Sequence, residues 1–276
     1  MSAGLDPRRT PFRPDLAAVH LKGRIAAERY VEGVARPVRQ GTAALHGQPD
    51  AFRPLTSQLL FGEVFTVYEE RDGWAWGQNG TDGYVGYVRA DALGDTGIPA
   101  THAVTALRTF IFPHPDLKTP PMDALSLTSR LAVTGEARGY LELAGGGWVF
   151  AKHAAPLSTG EPDYVATAER FLGVPYLWGG RSSLGLDCSG LAQIALAHAG
   201  IPAPRDSDMQ REEVGALIEG QPCRRGDLVF FPGHVGIMLD AERLLHATAL
   251  VLAVTVEPLS AVADRAGGIL AVRRFS

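Results

Sequence analysis

From about residue 36 to residue 155 the chain consists of short apolar alternations, each cut off by Gly, Asp or Pro. Glu63-Val64-Phe65-Thr66-Val67-Tyr68, Gly73-Trp74-Ala75-Trp76-Gly77 and Tyr84-Val85-Gly86-Tyr87-Val88 are examples. Period-two alternation bounded by turn formers reads as strands joined by tight turns. Gly and Pro are frequent, 32 and 19 of 276 residues, which favours short strands over long helices.

This β-rich stretch reads as one unit written twice. Gly86-Tyr87-Val88 followed by Ala92-Leu93 is echoed by Gly147-Trp148-Val149 followed by Pro156-Leu157, a period of about 60 residues that suits two small barrels. Before it, a helix is expected around Asp15 to Tyr30, with Asp15 as its N-cap. After it, residues 156–162 (Pro-Leu-Ser-Thr-Gly-Glu-Pro) read as a linker. The pattern then turns to mixed α and β. Val165, Ala168, Phe171 and Leu172 recur at helical spacing, and a second helix starts near Ser189 and ends at Gly200. Strands are expected at residues 227–231, 234–239, 243–248, 251–256 and 269–273. The expected divisions are 1–35, 36–95, 96–157 and 158–276.

The hydrophobic fraction, 46%, permits a packed core, and the net charge of -4 argues against a nucleic-acid or anionic-membrane partner, since both need a basic patch. No apolar run approaches the roughly 18 residues of a membrane span. Residues 1–16 carry Asp6, Pro7, Arg8, Arg9, Pro11, Arg13 and Pro14 and lack the apolar stretch of a signal peptide, so a cytoplasmic location is expected. Two cysteines, Cys188 and Cys223, do not make a disulfide framework.

Three segments carry chemistry. In Leu186-Asp187-Cys188-Ser189-Gly190-Leu191 a cysteine stands where a helix begins. Partial positive charge and unpaired N–H groups there stabilise a thiolate and can serve an oxyanion. The alternative is a small buried core residue. In Gly226-Asp227-Leu228-Val229-Phe230-Phe231, followed by Gly233-His234-Val235-Gly236-Ile237, a histidine flanked by glycines opens a strand, as a general base for a thiol would require. His246, in Leu244-Leu245-His246-Ala247-Thr248, lies on the next strand and can orient that base if the register puts both rings on one face. The sequence leaves that register open.

Taken in order, "VPYLWGGRSSLGLDCSG", "GIPAPRDSDMQ", "RRGDLVFFPGHVGIML" and "LLHATA" resemble the NlpC-type family of papain-like cysteine peptidases over about 160–276. The "DGWAWGQ…DGYVGYV" style of the upstream region resembles bacterial SH3-like domains in tandem. The resemblance implies an α+β chain: a papain-like NlpC catalytic domain preceded by two small SH3-like β-barrels and a short N-terminal helical segment. It implies Cys188, His234 and His246 as the catalytic set, Tyr176 beside the nucleophile, and no cofactor or metal. Cys223 departs from the family pattern and reads as structural. The combination resembles the γ-D-glutamyl-L-diamino-acid endopeptidases, which release L-Ala-γ-D-Glu from murein peptides. By that resemblance Asp187, Ser189, Glu63 and Tyr84 (or Tyr87) would hold the dipeptide and its amine. Arg205, Asp206 and Ser207 either face the cleft or form a loop turn. Glu63 and Asp187 would pair with the ammonium in a closed end roofed by the barrels. The readings left in competition are another amidase or acyltransferase on the same fold, a zinc site on Cys188, His234 and His246, and a non-catalytic wall-peptide binder.

Overall fold

The computed structural model describes residues 5–95 and 97–275. Residues 1–4, within the expected N-terminal segment, and Thr96, at the expected boundary between barrels, lie outside the described residues. The chain forms two compact units, divided between Leu157 and Ser158.

The first unit is almost entirely β. Its main sheet is antiparallel, in the order Val34–Pro37, Val64–Arg71, Trp74–Asn79, Val85–Arg89, Thr42–His46, Leu55–Leu60. Small sheets follow between residues 102 and 156, around a core of Val104, Ile111, Leu125, Leu131, Leu143 and Val149. The sequence echo has a structural counterpart. The Val85–Arg89 strand runs into a 3-10 turn at Ala90–Ala92, and the Trp148–Phe150 strand into one at Ala151–His153. The two regions are tied together: Arg130 N–H donates to Phe61 O (2.8 Å), and Gly41 N–H donates to the Asp123 carboxylate (2.6 Å).

The expected N-terminal helix does not form. Leu16–Ala18 is a strand paired in parallel with Arg29–Val31, and a 3-10 turn at Val19–Leu21 joins them. Leu16, Ala17 and Ala18 are all buried, and their backbone is committed to the parallel pairing with Arg29–Val31. Asp15 does not cap; its carboxylate accepts from Arg13 instead.

The second unit sets helices against an antiparallel sheet in the order Ala216–Leu217, Ala271–Arg274, Leu228–Phe231, His234–Met238, Arg243–Thr248, Ala253–Pro258. The helices are α1 (Tyr164–Glu169), α2 (Cys188–His198), α3 (Ser207–Glu213) and α4 (Leu259–Ala266). Helix α2 is buried from Cys188 through Leu196, so it is the central helix of this unit. The strand expected at 251–256 begins two residues later, because Leu252 adopts a left-handed φ of 51° and extends the turn. Among the described residues no helix is long and apolar enough to cross a membrane.

Candidate active site

Helix α2 begins where the sequence analysis expects it. The Asp187 side chain accepts from Gly190 N–H (2.8 Å), which makes Asp187 the N-cap and Cys188 the first helical residue. Gly190 is required by proximity: a Cβ there would lie 2.2 Å from Gly180 O. The first turn of α2 is therefore pressed against the loop that precedes the nucleophile.

Asp187 is the centre of a buried cluster. Its Oδ2 accepts from Arg205 Nη2 (2.7 Å) and Gly179 N–H (2.9 Å), and its Oδ1 accepts from Arg205 Nη1 (3.0 Å) and Ser189 Oγ (3.3 Å). Arg205, 1% exposed, also donates to Ser189 Oγ (2.8 Å) and Gly180 O (3.2 Å). These bonds, with Gly190, fill the acceptor capacity of the carboxylate. Asp187 therefore supports the helix start and has no vacant lone pair for a substrate ammonium. Arg205 and Ser189 belong to the same support, whereas the sequence reading placed them on the substrate. Ser207 opens α3, from which Gln210 Nε2 donates to Ser189 O (3.0 Å) and Pro204 O (2.8 Å).

The histidines meet. The Leu228–Phe231 and His234–Met238 strands join through Pro232-Gly233, with Gly233 at φ 68° as a tight turn demands. Met238 lies opposite Leu244 on the neighbouring strand. Alternation from that pair puts His234 and His246 on one face, the register the sequence left open. His234 Nε2 and His246 Nδ1 are 2.8 Å apart. His246 Nε2 lies 2.9 Å from Glu257 Oε2, and Arg265 of α4 donates to both carboxylate oxygens of Glu257. Leu244 is opposite Glu257 and His246 opposite Thr255, so Glu257 is the diagonal neighbour of His246. Glu257 and Arg265 were missed by sequence reasoning. The signal available was a carboxylate two positions from the His246 partner on an adjacent strand, visible only once the register is known.

The sulfur sits beside this pair. Val235 N–H, next in the chain to His234, and Ser189 N–H are both directed at the Cys188 thiol. Burial, then the negative charge of Asp187, push the thiol up to about 11. Burial, then the charges of His246 and Arg265, push His234 down to about 4. Both shifts favour the uncharged forms of the thiol and the imidazole. This differs from the thiolate expected at a helix N-terminus, because this N-terminus is closed off from water and its cap is itself a carboxylate. Tyr176 is held protonated, its phenol raised to about 12 by burial and by the charges of Cys188 and Asp187.

In the first unit the residues expected to hold the amine are placed as follows. Glu63, 3% exposed, accepts from Leu60 N–H (2.9 Å) and locks the turn before the Val64–Arg71 strand. Tyr84 is 6% exposed and presents little surface to a ligand. Tyr87 instead accepts from Arg13 and lines a cavity of about 620 Å³ with Arg13, Asp15, Glu69, Trp74 and Trp76. Cys223, the other thiol, packs against the Val229–Phe231–Met238–Leu244–Val262 cluster.

Residues 173–263 match the NlpC/P60 family, and residues 45–93 match the bacterial dipeptidyl-peptidase Sh3 domain. The chain is 28% identical over 246 residues to "Dipeptidyl-peptidase 6" of Lysinibacillus sphaericus, covering 75% of this chain and 84% of that protein. It is 29% identical over 216 residues to "Gamma-D-glutamyl-L-lysine dipeptidyl-peptidase" of Bacillus subtilis (strain 168), covering 70% and 72%. The crystal structure of an NlpC/P60 family protein from Bacillus cereus ATCC 10987 shares the fold, with a TM-score of 0.76 at 21% identity over 88% of this chain and 99% of that one.

Proposed function

We propose that this chain, a cysteine peptidase of the NlpC/P60 type that also carries a bacterial dipeptidyl-peptidase SH3 domain, hydrolyses the γ-D-glutamyl–diamino acid bond of murein peptides. Its substrates in this reading are small wall-derived peptides with a free N-terminal L-Ala, degraded inside the cell during recycling. The observation that carries the reading is the Cys188 thiol at the buried start of α2, facing the backbone N–H of Val235 next to His234, which in turn meets His246. Support for the bond cleaved comes from the names of relatives aligned along 72–84% of their own lengths.

The chemistry follows from the protonation states. Cys188 Sγ attacks the γ-carbonyl carbon while its proton passes to the unprotonated nitrogen of His234, so a neutral pair becomes an ion pair only as the C–S bond forms. Charge develops on the carbonyl oxygen. The Cys188 N–H at the start of α2 and the protonated phenol of Tyr176 are the donors this reading offers it. Collapse breaks the C–N bond, and His234 returns the proton to the leaving amine. A water then hydrolyses the thioester with His234 again as base.

The Asp187 carboxylate already accepts from Arg205, Gly179, Ser189 and Gly190, so the amine requirement in this reading does not rest on it. The requirement is tested by comparing L-Ala-γ-D-Glu-L-Lys with its N-acetyl form. Acetylation removes the charge of the ammonium and leaves its desolvated partner unpaired, at a cost of roughly 2–5 kcal/mol, or about 30-fold or more in kcat/KM. Equal kcat/KM for the two peptides contradicts the free-amine requirement and leaves the cysteine chemistry standing.

A further inference from the structure

We propose that Glu257, clamped by Arg265, is a positioning residue that sets the tautomers of both His246 and His234. The proposal rests on the reading of Cys188 and His234 as nucleophile and base, and it extends the site by one relay step.

An ionised carboxylate only accepts hydrogen bonds. Glu257 is held ionised: burial opposes this, but the Arg265 hydrogen bonds and the charges of His246 and Arg265 keep its carboxyl below the ordinary range. His246 must therefore carry its proton on Nε2 to satisfy the 2.9 Å contact with Glu257 Oε2. That leaves a lone pair on His246 Nδ1. His234, 2.8 Å away through Nε2, must then protonate Nε2 and donate to it. His234 Nδ1 is left bare, the nitrogen that can take the thiol proton. Without a carboxylate at the far end, His246 is free to protonate Nδ1, which would turn a donor against His234 Nε2–H and undo the arrangement.

Arg265 keeps the carboxylate in place. Its Nη1 and Nη2 reach Oε1 (3.1 Å) and Oε2 (2.8 Å), a two-pronged grip that fixes the plane of the Glu257 head group. The Glu257 side chain is 19% exposed and His246 is fully buried, so the relay runs from the surface inward. The charged and titratable groups acting on the two imidazoles are each other, Glu257 of the outer strand and Arg265 of α4. Glu257 raises the basicity of both rings and Arg265 lowers it.

The test is long-range 15N NMR of histidine-labelled protein, which reports each ring's tautomer and titration without any substrate. Wild type is expected to show both His234 and His246 as Nε2–H tautomers. In Glu257→Gln, His246 is expected to lose its single tautomer, both rings to titrate at lower pH, and kcat/KM to fall about 10-fold or more, because part of the population then holds the base in the wrong tautomer. In Arg265→Met the tautomers persist and both rings titrate at higher pH, the opposite direction; a merely structural role would move both variants the same way. A wild type with His246 protonated on Nδ1 overturns the proposal. So does a Glu257→Gln protein that keeps both tautomers with kcat/KM within about twofold of wild type. If wild type fails to cleave the murein peptide, the substrate reading falls while the tautomer result still decides the role of Glu257.

Discussion

Replacing Arg205 by Met should destabilise the catalytic unit severely, and the structure sets the scale. Arg205 is 1% exposed and makes two charged bonds to Asp187, at 2.7 and 3.0 Å, besides bonds to Ser189 Oγ and Gly180 O. Met restores the bulk of the side chain but leaves the Asp187 carboxylate buried without its cation. Two N–H donors, Gly179 and Gly190, remain on that carboxylate, so the penalty is the uncompensated charge rather than complete isolation. Breaking a buried pair from one side typically costs about 3–5 kcal/mol. For a unit of this size that lowers Tm by roughly 10–20 °C. Arg205 also favours the Cys188 thiolate, so any folded Arg205→Met protein should turn over more slowly as well. Arg205→Lys retains the charge without the two-pronged geometry and should fall between the two. Urea and thermal unfolding with a probe in the catalytic unit measure the loss. A change below about 1 kcal/mol in Arg205→Met, at an unchanged urea slope, would show that the Asp187–Arg205 cluster does not hold the nucleophile turn.

Two further outcomes bear on the histidines. His234→Ala should remove several orders of magnitude of kcat, whereas His246→Ala should be milder, because the base carries the proton and the second ring only orients it; a larger loss in His246→Ala would reverse the roles. The pH profile follows from the depression of His234 to about 4 by burial and by the charges of His246 and Arg265. A base acts only when neutral, and it is neutral above its own pKa, so a lowered value extends activity toward acid. kcat/KM at pH 5.5 should therefore stay close to its neutral-pH value, whereas an ordinary histidine would leave only about a tenth of the base unprotonated. The stability of the unit should fall over the same window, as pH drops from about 6.5 toward 4, because the unfolded chain takes up protons that folded His234 refuses.

The sequence was most informative where local rules decide the outcome. The helix start expected at Cys188–Ser189 formed there, and Asp187, read from the sequence as a substrate carboxylate, is its cap. Pro232-Gly233 marks a tight turn, so the strands around it fell within a residue of expectation. It was least informative where long-range pairing decides. Asp15 looked like a helix cap, but Arg13 claims its carboxylate and the following residues are buried as a strand. Asp187 looked like a vacant carboxylate, since Arg205, which fills it, is 18 positions away in the sequence. Glu257 lay beyond the end of the strand expected at 251–256. Only the observed register brings it to His246.

The most direct measurement is mass spectrometry of L-Ala-γ-D-Glu-L-Lys incubated with the wild-type protein and with Cys188→Ala. The expected result is release of L-Ala-γ-D-Glu and free lysine by wild type. The Cys188→Ala protein, with unchanged far-UV circular dichroism, should show a loss of at least several orders of magnitude in rate, as expected for a missing nucleophile. Near-normal release of the dipeptide by folded Cys188→Ala would contradict nucleophilic catalysis at the start of α2.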